Sequence, residues 1–262
     1  MTLALIAIAL YLASAGLLAR RLAQAGPGVP MAWWLLPATA VIAHLTAHGL
    51  AWHAAGGENL HFFSALSLVG MGMSAVTVLM GLRGRMAALG VIVFPIAAAC
   101  LLLYAGFGRH DVQPLDWRLL LHAWCALLAY ATLAVATVLA MLLWVQERAL
   151  RQRRLHGWLR VLPPLVELET LLFRTITVGF ALLTATLLTG VLFVENLMTQ
   201  HLAHKTVFSV LSWLGFGGLL LGRRRYGWRG ATAVRWTLTA MAMLVLAFFG
   251  TGIVLELILR RR

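Results

Sequence analysis

Nine histidines stand beside only eight acidic residues in this 262-residue chain, and most of them lie in or next to long apolar runs. Imidazole titrates close to neutral pH, ligates haem iron and zinc, and bridges helices by hydrogen bonds. His44 and His48 are four residues apart and share one helix face. His201 and His204 are three apart and share a face if a helix starts early enough to include both. His53 and His61 flank one connection, His110 and His122 lie near the start of a later apolar run, and His156 stands apart in a basic stretch. Three chemistries fit the set: ligation of a metal or haem at one face, a proton or ion path, and structural bridging between helices. For any single histidine structural bridging is the plainest reading. For the cluster at one face taken together, ligation is favoured.

Other chemistries lack their residues. There is no H-E-x-x-H, no phosphate-binding glycine loop, no dinucleotide fingerprint and no nucleophile elbow. Cys100 and Cys125 sit in apolar runs outside any C-x-x-C or C-x-x-C-H pattern, so neither covalent haem attachment nor a thiol relay is expected. No acid–base pair or nucleophile can be assembled, so no enzymatic activity is expected.

The elements that must carry these histidines follow from composition. Hydrophobic residues make up 62% of the chain and charged residues 11%, against about 25% charged in a soluble domain. The apolar runs are continuous and about 20 residues long, the length of a membrane-spanning helix. In lipid the backbone must satisfy itself, which leaves helices or a closed barrel, and continuous runs favour helices. The expected fold is an all-α integral membrane protein, one transmembrane domain over 1–262. Its eight spans are Leu3–Ala19, Trp33–Trp52, Phe62–Leu82, Met86–Phe107, Leu119–Val145, Leu171–Val194, Ala203–Leu221 and Val234–Leu259.

Charge gives the orientation. The connections after the first, third, fifth and seventh spans hold fourteen of the 21 lysines and arginines, including Arg20, Arg83, Arg148–Arg160 and Arg223–Arg235. The positive-inside rule puts these in the cytoplasm and both termini outside, with Arg260–Arg262 as the one basic group on the wrong side. The net charge of +13 then reads as contact with anionic lipid, not nucleic acid. The longest connection, 146–170, is basic, contains Pro163–Pro164, and ends in Glu167-Leu168-Glu169 among leucines at helical spacing. It is expected to form a short amphipathic segment at the cytoplasmic surface. Trp33, Trp34, Trp52, Trp117 and Trp213 are expected in the interfacial belt, and Gly70 and Gly72 at close helix approaches.

The second half carries a more specific pattern. Leu121-His122-Ala123-Trp124 and Leu128-Ala129-Tyr130 open a helix that ends in Gln146-Glu147-Arg148. Leu168-Glu169-Thr170-Leu171, Arg174, Val178-Gly179-Phe180, Leu183-Thr184 and Thr189-Gly190 follow, then Tyr226-Gly227-Trp228-Arg229-Gly230. In order and spacing this resembles the cytochrome c assembly family of haem-handling membrane proteins, most closely its YpjD-like inner-membrane branch, with HemX-like proteins as cousins. The likeness is firm over 118–262 and looser before. It implies a bacterial inner-membrane protein handling haem at the outer face, with His122 as one axial ligand. The family's tryptophan-rich platform corresponds here to 195–205, which has neither tryptophan nor aspartate, and the last span lacks the family's second histidine. His201 and His204 stand in the platform's place. The expectation is a non-covalent haem b held by His122 and His204, with His201 as the other candidate, and with Lys205 or an outer arginine meeting a propionate. The expected partners are haem, membrane lipid and a cytochrome-assembly or haem-biosynthesis protein. Two other functions stay open: a regulator of tetrapyrrole synthesis acting through a partner without haem, and a transporter or ion pathway.

Overall fold

The structure is a computed structural model, described over residues 2–24, 29–57, 60–82, 86–108, 116–153, 162–193 and 203–253. Among these residues it is all helical: α1 Thr2–Ala23, α2 Leu35–Ala55, α3 Phe62–Gly81, α4 Ala87–Phe107, α5 Trp117–Arg151, α6 Leu165–Phe193, α7 Ala203–Tyr226 and α8 Gly230–Ile253. All eight include a stretch long and apolar enough to cross a membrane. A short 3-10 turn over Met31–Trp34 leads into α2. Each helix places its small and apolar residues inward and leaves leucine, isoleucine and valine on its outer face, as a lipid-facing helix requires.

The chain divides into two compact units, one of residues 1–115 with 146–167, the other of 116–145 with 168–262. In the first unit α1 packs against α4 and α2, and α3 packs against α4. Gly70 permits the α3–α4 approach, since a Cβ there would lie 3.1 Å from Cβ of Cys100 and 3.2 Å from Cα of Ala97. Tyr11, Trp34 and Phe94 form its aromatic centre, with Tyr11 stacked on Phe94 at 6.0 Å. Trp34 stands at the start of α2, and its ring is 1% exposed, packs edge-on to Phe94 and covers Gly81, the last residue of α3, whose missing side chain makes the space.

In the second unit neighbouring helices run antiparallel and are tied by side chains. Tyr130 on α5 donates its hydroxyl to the Leu244 carbonyl of α8 at 2.9 Å, and Ser212 on α7 donates to the Ala240 carbonyl of α8 at 2.8 Å. Trp213, also expected in the belt, lies in the body of α7. It stacks on Phe180 and donates its indole N–H to Thr184 of α6 at 2.9 Å. The α7–α8 turn uses Gly227 and Gly230 at φ +65° and +52°, backbone that glycine adopts without strain. Trp228 folds over Gly222 and packs on Trp236 at 5.2 Å.

The amphipathic segment before the sixth span is not a separate surface helix. It forms the first turns of α6, starting directly after Pro163–Pro164, with Leu168 and Leu172 fully buried. Glu169 is drawn inward because Arg223 of α7 reaches it at 3.0 Å, while Arg229 stands 3.9 Å away. The Arg223 guanidinium also lies 3.7 Å over the Phe173 ring. The favourable alternative to an interfacial carboxylate is thus an ion pair shielded by an aromatic face.

Candidate functional site

His122 lies in the second turn of α5, and across from it stand Thr189 and Gly190 in the last turn of α6. Nδ1 of His122 is 3.2 Å from Oγ1 of Thr189. The same Oγ1 is 2.8 Å from the Ala185 carbonyl and 3.0 Å from the Thr186 carbonyl. A threonine hydroxyl has one proton and two lone pairs. With its proton turned to the helix carbonyls, Oγ1 accepts from Nδ1–H of His122, and Nε2 keeps its lone pair; with its proton turned to Nδ1, the ring takes the opposite tautomer. The first case is the arrangement of a ligating histidine fixed by a partner behind it.

Gly190 supplies the room. A Cβ at this position would lie 3.2 Å from Cε1 and 3.5 Å from Nδ1 of His122, tighter than an ordinary side-chain contact. Trp117, one turn before His122, packs on Phe193, one turn after Thr189, with ring centroids 6.0 Å apart. The Arg118 guanidinium lies 5.6 Å from the Trp117 ring. This end of the unit thus combines an imidazole held by a threonine, a glycine beside it, an aromatic wall and a cation.

The start of α7 lies at the same end, because α7 runs antiparallel to α6: Glu169 at the start of α6 meets Arg223 at the end of α7. His204 belongs to the first turn of α7, and its side chain lies outside the described residues. Lys205, next to it, is half-buried. His201 lies outside the described residues, as do His110, His156, Glu195, Glu256 and the Arg260–Arg262 terminus. His53 is exposed at the end of α2, and His61 caps α3 by accepting the Ser64 N–H at 3.2 Å. His44 and His48 are fully buried in the first unit. The described histidines therefore fall into separate groups. Among the described residues no three His, Cys, Asp or Glu side chains gather as a metal site.

Family comparison weighs on the same residues. The chain matches the family described as cytochrome C assembly protein over residues 33–259. The chain belongs to that family. It is 30% identical over 264 residues to the inner membrane protein YpjD of Escherichia coli strain K12, covering 97% of this chain and 98% of the relative. An uncharacterized 28.8 kDa protein in a nifR3-like 5' region of Azospirillum brasilense is 38% identical over 141 residues, covering 53% of this chain and 52% of that one. No solved structure matches significantly. In this family member, several of the residues that carry the resemblance join the helices of the second unit. Gly179 lets α6 close on Leu133, Thr184 receives Trp213, Glu169 receives Arg223, and Thr189-Gly190 backs His122. Thr189 was legible only as part of that pattern; a hydroxyl 67 residues away in sequence gives no local sign of its partner.

Proposed function

We propose that this multi-pass membrane protein handles haem, holding a non-covalent haem b at the end of the second unit where α5 and α7 begin and α6 ends. The observation that carries the reading is the Thr189–His122 contact, which in the Nδ1–H tautomer leaves Nε2 free to ligate. Bound haem would supply a redox-active iron or a cargo for delivery to a cytochrome. His122 and His204 would be the residues that hold its iron, with His201, three residues before His204, as the alternative to His204. Lys205 and Arg118 are the cations for the propionates, since guanidinium and ammonium groups pair well with carboxylates away from bulk water. Trp117 and Phe193 provide an apolar edge for the macrocycle.

The family membership supports a role in cytochrome assembly, with an assembly protein as partner. The E. coli relative is named an inner membrane protein, which supports the bacterial inner membrane as location. The basic connections after the first, third, fifth and seventh spans support a cytoplasmic position for themselves, and the outer side for both termini and this site. The test is titration of the detergent-purified protein with haemin. His122→Ala and His204→Ala are each expected to weaken binding at least about tenfold. Unchanged haemin affinity in both variants would overturn the reading.

A further inference from the structure

The first unit contains a second polar constellation that haem handling does not use. On α2, His44 and His48 are one turn apart and both 0% exposed, with rings stacked at 5.4 Å. They converge on one hydroxyl of α3: Nε2 of His44 is 2.9 Å, and Nε2 of His48 is 3.0 Å, from Oγ of Ser67. On the far side of His44, its Nδ1 is 3.3 Å from the hydroxyl of Tyr11 on α1. Ser74 lies beside Tyr11, with its Oγ buried. At the other end, Nδ1 of His48 is buried and unpartnered. The His48 ring is stacked on Tyr104 at 4.3 Å, and Tyr104 meets His61 edge-on at 6.3 Å, at the α2–α3 end.

Such a group is costly in a membrane protein unless it has work to do. Apolar packing would serve the fold at least as well, because a partly satisfied buried network is a net liability. A metal site is disfavoured by the geometry: the two Nε2 atoms point at a shared serine, and the described residues add no third ligand.

We infer that Tyr11, His44, Ser67 and His48 form a proton-transfer chain running from the middle of α1 to the α2–α3 end of the first unit. Ser67 has one proton and two lone pairs. When both imidazoles are neutral and Ser67 donates to one, the other donates to Ser67, so the two rings carry opposite tautomers. In one arrangement Tyr11 donates to Nδ1 of His44, Nε2–H of His44 donates to Ser67, and Ser67 donates to Nε2 of His48. His48 then carries its proton on Nδ1, at the far end of the chain. In the other arrangement every donor is reversed, and His48 presents a bare Nδ1.

Conversion of the first into the second needs a proton donor at one end and an acceptor at the other, and water is the class of molecule that serves as both. Nδ1 of His48 gives its proton to water on the α2–α3 side, and Nε2 takes the Ser67 proton. Ser67 Oγ takes the Nε2 proton of His44, Nδ1 of His44 takes the Tyr11 proton, and the Tyr11 oxygen takes one from water on the Ser74 side. One proton enters, one leaves, and no group in the chain ends charged. Ser64, Ser74 and Thr77, each 0% exposed, lie on the same face of α3 as Ser67.

The test is 15N magnetic resonance of the full-length protein, 15N-histidine labelled, in lipid bilayers. The chain predicts that His44 and His48 each populate both tautomers, with the Nδ1–H fraction of one equal to the Nε2–H fraction of the other as temperature is varied. Tyr11→Phe, which removes one hydroxyl and keeps the ring, is expected to shift both rings together, although it touches only His44. In a Ser67→Ala background, Tyr11→Phe is expected to leave His48 unmoved. Identical tautomers on the two rings overturn the inference, because Ser67 then does not have a donor on one side and an acceptor on the other. Opposite but fixed tautomers overturn it too, because they show a static network through which no proton moves. None of these readouts depends on haem, so failure here is distinct from failure of the haem site.

Discussion

Replacing Thr189 by valine removes the acceptor of the His122 Nδ1–H and keeps nearly the same volume and β-branching, so α6 is retained. The variant loses more than one neutral hydrogen bond, which alone contributes about 0.5–1.5 kcal/mol. Without Oγ1 at 3.2 Å nothing fixes which ring nitrogen carries the proton, and a fraction of the rings presents Nε2–H, which cannot ligate. Removing a partner behind a ligating histidine typically weakens metal affinity about 10- to 100-fold, equivalent to about 1.4–2.8 kcal/mol. The assay is haemin titration followed by the Soret band, with Thr189→Ser as control, since serine restores the oxygen. The expected order is wild type and Thr189→Ser together, Thr189→Val about 10- to 100-fold weaker, and His122→Ala weakest. Thr189→Val binding within about twofold of wild type, well inside that range, while His122→Ala abolishes binding, would refute the tautomer argument and leave His122 a ligand with no need of its neighbour.

Gly190→Ala puts a methyl 3.2 Å from Cε1 of His122. It is expected to displace the ring and lower haemin affinity several-fold, with the melting temperature in detergent lowered by much less than in a core overpacking variant, which costs about 1–3 kcal/mol. Glu169→Gln leaves Arg223 opposite a neutral amide at the inner end of α6 and α7. Because Arg223 is partly exposed, the expected loss is about 1–3 kcal/mol, read as a lower melting temperature with haemin binding at the opposite end retained. Single cysteines at residues 84 and 57 test the topology: an impermeant thiol reagent applied to intact cells is expected to label position 57 and to reach 84 only after permeabilisation.

The helices were largely legible in the sequence, because hydropathy over a span length reports how much apolar surface a segment must give to lipid. What hydropathy does not report is which face of a span turns inward. Trp34 and Trp213 were assigned to the belt from their position in the chain, and Gly81 and Thr184 on other helices provide the space and the acceptor that turn their rings inward. Glu169 in an amphipathic pattern reads as a surface carboxylate. Its burial depends on Arg223, 54 residues later, which no local window contains. Spacing correctly placed His44 and His48 on one face, but gave no sign of Ser67, a residue type too common to mark a site. At the proposed haem site His122 is found from the family pattern and its partner Thr189 only from the structure, because the two are 67 residues apart.

The most direct test of the account is the absorption spectrum of the detergent-purified protein, oxidised and dithionite-reduced, with the haem released as its pyridine complex for quantification. The account predicts a Soret band, sharp reduced α and β bands of a bis-histidine b-type haem, about one haem per chain, and loss of these bands in His122→Ala. A colourless protein that also takes up no added haemin would contradict it.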